Sequence, residues 1–192
     1  MLDPVTQIDF PFMQRDLKDM FGDPRDGFAE YLKTVDLTMF ADAFGHVRDY
    51  EGNPWGHKIY TNYVMEGPLL KAFGLIVSRG LVGQLKSYDG SFCIRAMKGG
   101  RSLSVHSWAL ALDLNAGTNP FKPDGRLITD FSPEFVACFY EAGFEWGGAW
   151  RCPKDAMHFQ LAWTHLWQPG EGPVPFVRDN PPLYDGAIGQ RQ

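Results

Sequence analysis

Two of the five histidines of this chain stand near aspartates at spacings that suit chemistry. His106 precedes Asp113 by seven residues in the otherwise apolar run "SVHSWALALD" (104–113), and His158 follows Asp155 by three in "DAMHFQLAW". Two imidazoles and one carboxylate form a donor set for a divalent ion. Three protein ligands leave a fourth zinc position open for water, the arrangement of a catalytic site. His106, Asp113 and His158 are therefore the expected ligands of a Zn2+ ion. Zinc lowers the pKa of bound water toward about 7 and polarises a carbonyl. Asp155, a carboxylate outside the ligand set, is placed to act as general base. The chemistry implied is amide hydrolysis. Taken singly, each residue also has an ordinary reading, as a hydrogen-bonded strand histidine, a turn aspartate or a solvated surface charge. Several other divalent ions accept the same donors.

The elements must bend to bring these groups together. As one continuous strand, residues 106–113 would separate the two side chains by roughly 23 Å and turn them to opposite faces. Ligands about 2 Å from one ion allow Cα separations of only about 10–12 Å. A bend is thus expected near Ser107 and Trp108, with a strand over about 109–115. In that strand Leu110, Leu112 and Leu114 face the core, while Ala109, Ala111 and Asp113 face the site. In the second block Met157, Phe159, Leu161 and Trp163 alternate with His158, Gln160 and Ala162, which predicts a strand with one apolar face and one that offers an imidazole.

Elsewhere the pattern predicts a helix over 26–44 and a loop over 48–65, where Gly52, Asn53, Pro54 and Gly56 cluster. Pro68 opens a second helix, with Leu69, Phe73, Ile76 and Val77 on one face and Gly80 as its stop. Asp89-Gly90 predicts a hairpin between "LKSY" and "FCIRAM", with Arg95 directed away from the core. A long polar loop follows Asn115. Ser132 then caps a short helix with Pro133 in its first turn and Gly143 at its end, and "FEWGGAW" reads as a strand entering a glycine turn. Trp108, Trp146 and Trp150 suit either a cleft lining or the core. His46, His57 and His165 lack matching partners.

The chain is expected to form a single domain over 1–167, followed by a Pro/Gly-rich tail (168–192) with five prolines in 25 residues. A net charge of -5 without a basic patch argues against nucleic-acid binding. No apolar run has the length of a membrane span, and the N-terminus lacks the basic and apolar regions of a signal peptide. Synthesis in the cytoplasm is the matching expectation. The three cysteines form no C-x-x-C and read as partly buried thiols.

Together the two blocks resemble a family. "SVHSWALALD" is similar to the S-x-H-x-x-G-x-A-x-D signature of the D-alanyl-D-alanine carboxypeptidase and L-alanyl-D-glutamate endopeptidase family of zinc peptidases, and "DAMHF" to its closing D-x-x-H-F. The resemblance extends over roughly 69–163, and its nearest form is that of phage members. It implies an α+β fold of the Hedgehog/DD-peptidase kind, a small antiparallel sheet carrying a zinc site and packed against helices. It also implies ligation by His106, Asp113 and His158, with Asp155 as base. Arg95 falls where the family places an arginine that binds a substrate carbonyl or carboxylate and steadies the oxyanion. The implied partner is bacterial peptidoglycan, reached after release from the cell or from a virion. An endolysin-like L-Ala-D-Glu endopeptidase is the first expectation and a D-Ala-D-Ala carboxypeptidase the second. A catalytically inert metal-binding module of a phage particle is the alternative of another class. Ala109 departs from the signature, which has glycine there, and no glutamine closely follows Arg95.

Overall fold

A computed structural model describes residues 10–11 and 14–163. In chain order the elements are β1 (Phe10–Pro11), α1 (Gln14–Phe21), β2 (Leu32–Asp36), α2 (Ala41–Phe44), β3 (Arg48–Asp49), β4 (Lys58–Asn62), α3 (Glu66–Ser78), β5 (Ser87–Gly90), β6 (Ala111–Leu114), β7 (Phe121–Lys122), α4 (Pro133–Glu141), β8 (Phe144–Trp146), β9 (Lys154–Asp155) and β10 (His158–Trp163). Short 3-10 turns join several of them. The fold is α+β. Its main sheet runs β1-β10-β6-β5-β3, with β8 also paired to β10, and two-stranded ladders β2-β4 and β7-β9 flank it. Every pairing is antiparallel except β3 with β5.

Both helices predicted from caps form, α4 at its Ser132 cap and α3 from Glu66, two residues before the Pro68 expected to open it. Ser132 Oγ accepts the Phe135 N–H (3.2 Å), Pro133 occupies the first turn, and Gly143 follows the helix at φ 94°. These local devices satisfy or remove N–H groups that a helix start leaves orphaned. Helix α3 buries Leu69, Ala72, Phe73 and Ile76, and Gly80 (φ 68°) ends it in the left-handed conformation. Both helices lie behind the sheet. Phe73 of α3 meets Phe139 of α4 edge-on at 6.3 Å, and Phe139 meets Phe159 of β10 at 4.2 Å. Burying each such ring stabilises by roughly 1.5–3 kcal/mol. This apolar layer holds the back of β10 while the other face remains free for polar groups.

Several expectations are corrected. Residues 26–44 are not one helix: β2 fills their middle, with Val35 and Leu37 buried two residues apart, a strand period that pairing with β4 imposes. The 48–65 loop likewise contains β4. The hairpin at Asp89-Gly90 does not form, because β5 takes β6 as its antiparallel partner. "FCIRAM" instead runs beside residues 102–107, bonded through Cys93 N–H to His106 O (3.2 Å), Ser104 N–H to Arg95 O (2.9 Å) and Met97 N–H to Ser102 O (2.8 Å). The polar loop after Asn115 contains β7, which pairs with β9. The strand expected over 109–115 is shorter, 111–114. Of the thiols, all free, Cys138 is buried whereas Cys93 and Cys152 are exposed. No helix among the described residues is long and apolar enough to cross a membrane. The tail, the boundary expected at 167/168 and His165 lie outside the described residues.

Candidate metal centre

His106 sits on a 3-10 turn, Val105–Trp108, at the expected bend. Ser104 caps this turn through its Oγ, which accepts the His106 N–H at 3.4 Å, and Ala109 ends it at φ 53°, ψ 37°. The signature's glycine thus stands where the backbone turns left-handed, and here an alanine takes that conformation. Strand β4 clamps it: the Ala109 carbonyl accepts Thr61 Oγ1–H (2.6 Å) and Asn62 N–H (3.0 Å), and Asn62 Nδ2 reaches Trp108 O at 3.2 Å. The Trp108 indole donates to Gly22 O (2.9 Å) and so ties the turn to the end of α1.

The alanine's cost and benefit nearly cancel. Left-handed backbone costs a side-chain-bearing residue roughly 1–2 kcal/mol. Its fully buried methyl returns about 0.8 kcal/mol, and alanine gains about 0.5–1 kcal/mol over glycine through the unfolded chain. Ala109→Gly is therefore expected to change unfolding free energy by less than about 1 kcal/mol. Ala109→Val should cost more than about 2 kcal/mol, adding branched bulk to a strained, closed site. Denaturant titration of the pair checks both; a valine variant as stable as glycine would contradict the clamped turn.

Sheet register supplies the rest. His158 on β10 lies directly opposite Asp113 on β6, so both project from the same face, away from Phe159 and the helices. His106 Nε2 stands 3.2 Å from Asp113 Oδ1, His158 Nδ1 stands 3.2 Å from the same oxygen, and the two nitrogens are 3.1 Å apart. Donors about 2.0–2.1 Å from a tetrahedral ion are separated by about 3.3 Å, close to all three edges. Among the described residues this is the group of three that can hold a metal ion. The histidine side chains are 4% and 6% exposed and that of Asp113 16%, so the trio opens on the carboxylate's side.

The outer partners decide which nitrogens face inward. His106 Nδ1–H donates to the Ser91 carbonyl (2.7 Å), and His158 Nε2–H donates to Gln160 Oε1 (2.9 Å). Each ring then directs a lone pair at the other and at Asp113. Three acceptors converge with nothing between them, an arrangement that a cation resolves. A proton can serve instead. Burial opposes charge on His158, yet the hydrogen bond and charge of Asp113 raise its pKa above the usual value. Burial likewise opposes ionisation of Asp113, but hydrogen bonds and charges from both histidines prevail and hold its pKa below the carboxylate range.

Asp155 stands outside the trio, on β9, where pairing of Phe121 with Asp155 holds it. Its placement in a short ladder, rather than a free turn, was hidden because β7 has two residues and no pattern of its own. A Cβ at Gly147 would come within 2.5 Å of the Asp155 carbonyl oxygen and 3.3 Å of His158 Cβ, so only glycine lets that turn pack against both. Asp155 Oδ1 is buried with no hydrogen-bond partner among the described residues. Burial first, and the charge of Asp113, raise its pKa over the lowering influence of His158, Lys98 and His106. Arg95 lines a cleft of about 320 Å³ together with Tyr50, Asp89, Phe92, His106 and Asp113. Of the three tryptophans considered, Trp108 and Trp146 are core, and Trp150 flanks the site, its ring 5.3 Å from that of His158.

A profile of the family described as D-alanyl-D-alanine carboxypeptidase matches residues 98–161. The match supports the zinc peptidase family that the two motifs resemble. It spans about a third of the chain and contains His106, Asp113, Asp155 and His158. It supports a peptidase, with zinc implied by the family. No curated protein and no solved structure matches the chain. Two supporting groups escaped the sequence reading. Gln160 had a visible signal, two residues beyond His158 on the same strand face. The Ser91 carbonyl had none, because a backbone acceptor carries no residue signature.

Proposed function

We propose that this protein is a zinc-dependent peptidase that hydrolyses the peptide stems of bacterial peptidoglycan, with His106, Asp113 and His158 as ligands. The observation that carries the reading is the near-equilateral triangle of lone pairs beside a buried carboxylate oxygen that lacks a partner. Zinc held there supplies Lewis acidity, acidifying water and polarising the scissile carbonyl. Asp155 takes the proton of the attacking water and passes it to the leaving amine, a role suited to a carboxylate whose pKa is raised toward working pH. Arg95 steadies negative charge developing on the carbonyl oxygen or binds a substrate carboxylate from the cleft wall. Ser91 and Gln160 hold the two rings so that neither must reorient during turnover. An inert structural module would derive no benefit from keeping one oxygen of Asp155 buried without a partner among the described residues, which favours the enzyme.

Within this class we place an endopeptidase acting between L-Ala and D-Glu first, on the likeness of both motifs to phage members. The matched family's description favours removal of a terminal D-Ala as the second reading. Incubating purified sacculi with the protein should release new amine termini. A chelator should abolish the release and added Zn2+ restore it, and mass spectrometry of the fragments names the bond. No release under any metal condition would refute the peptidase. The zinc affinity should rise with pH through about 6.5 and above, because binding displaces the proton that Asp113 helps His158 retain. Calorimetric titration at several pH values measures this.

A further inference from the structure

In a chain of net charge -5, residues 90–112 contain no Asp or Glu and carry Arg95, Lys98 and Arg101. Several cations elsewhere are paired with carboxylates. Lys33 pairs with Glu66 at 2.7 Å, Arg79 grips Glu141 through two bonds, and Lys86 and Arg126 bind Asp130 and Asp124. Among the described residues no carboxylate pairs with Arg95, Lys98 or Arg101.

Two of these cations are positioned rather than merely exposed. Arg95 donates its backbone N–H to Ser107 Oγ (3.1 Å), and its carbonyl accepts Ser104 N–H (2.9 Å), so the turn bearing His106 also holds Arg95. Three residues on, Lys98 Nζ stands 4.8 Å from the ring centre of Phe121. Phe121 is the register partner of Asp155. One segment thus puts a guanidinium beside His106 and Asp113, and an ammonium beside Asp155. The aromatic ring holds the lysine by a cation–π contact without neutralising it. Of the acids nearby, Asp113 lies between two histidines and Asp89 Oδ2 accepts Ser87 Oγ–H (2.7 Å) and Ala116 N–H (2.9 Å), while Asp155 feels the charge of Lys98 without a hydrogen bond or ion pair to it among the described residues.

We propose that Lys98 is a specificity residue that binds a substrate carboxylate beside Asp155, so that peptides with a free carboxylate next to the scissile bond are preferred over their carboxamides. The proposal rests on the peptidase reading and names the charge state of its substrate. Lys98 is exposed, so its pairing is screened by salt and of modest size.

The test uses an L-alanyl-D-glutamyl peptide with its glutamyl α-carboxyl free, and the same peptide as the carboxamide. Affinity is measured by calorimetry and cleavage by amine release, for the zinc-loaded wild type, Lys98→Gln and Lys98→Arg. Wild type should favour the free acid in affinity by about three- to tenfold at low salt, less at 0.5 M salt. Lys98→Gln should bring that ratio close to one, and Lys98→Arg should keep it. Equal affinity for both peptides in the wild type, or no binding of either, overturns the proposal. So does an equal loss for both peptides in Lys98→Gln, the signature of a lysine that acts only through Asp155. Preferential binding of the acid without cleavage of either peptide would refute the L-Ala-D-Glu endopeptidase and leave this inference standing.

Discussion

His158→Ala is expected to abolish peptidase activity, by more than about a thousandfold, together with tight zinc binding. Loss of an outer partner alone typically costs about 10- to 100-fold in metal affinity, and removing a ligand must cost more. The variant leaves Asp113 with one imidazole and strands the buried Gln160 Oε1 that His158 satisfied. Thermal unfolding provides a readout independent of turnover. A ligand bound only by the folded chain stabilises it in proportion to RT ln(1 + [L]/Kd), so zinc should raise the wild-type melting temperature and a chelator reverse the rise. In His158→Ala neither should matter. A variant that retained the zinc-dependent shift would show that the triangle of His106, Asp113 and His158 does not hold the ion. Asp113→Asn, which preserves shape and both neighbours, should lose most of the shift as well, which guards against attributing the effect to misfolding.

Asp155→Asn separates proton transfer from metal binding. It should lower kcat by about 10²–10⁴, the span attributed to a positioned base, while the zinc-dependent melting shift persists because Asp155 is outside the ligand trio. Loss of zinc binding in this variant would instead make Asp155 a ligand. Its pKa also sets a pH signature. Burial raises the folded-state value above the ordinary carboxylate value of about 3.9, so the acid limb of wild-type activity should lie above that value and be absent from the residual activity of the variant. Stability should follow the opposite sign. In metal-free protein the unfolded chain loses this proton first as pH rises past about 3.9. Folded protein is thus progressively disfavoured until pH passes the raised folded value. Asp155→Asn removes that loss, and denaturant titrations of the two proteins between pH 3 and 7, run with chelator, should diverge in its favour as pH increases.

How much was legible beforehand depends on the range of the forces involved. Ser132 with Pro133 and the apolar face from Leu69 to Ile76 act within one or two turns of chain, and both helices form over those residues, α3 starting at Glu66 rather than Pro68. The alternation of Phe159 and Leu161 with His158 and Gln160 similarly gave the two faces of β10, now seen against α4 on one side and the His106–Asp113–His158 trio on the other. Period failed where pairing outweighed it. Residues 32–36 carry no strong signal, and only β4 makes them a strand. At Asp89-Gly90 the turn dipeptide was real, with Gly90 at φ 117°, but β5 found its partner in β6, more than twenty residues downstream.

For the site itself, residue types and the spacing of two short motifs were enough to propose a donor set and a base, because ligand chemistry belongs to the side chains wherever they lie. Convergence is a different kind of fact. His106 reaches Asp113 because a left-handed Ala109 closes a 3-10 turn under the carbonyl clamp of β4, and His158 reaches it through the register of β10 against β6. Long-range hydrogen bonds set those positions, and they leave no local trace in the chain. The same holds for Lys98 beside Asp155: its charge could be read from the sequence, but its place depends on Phe121 pairing across β7 and β9.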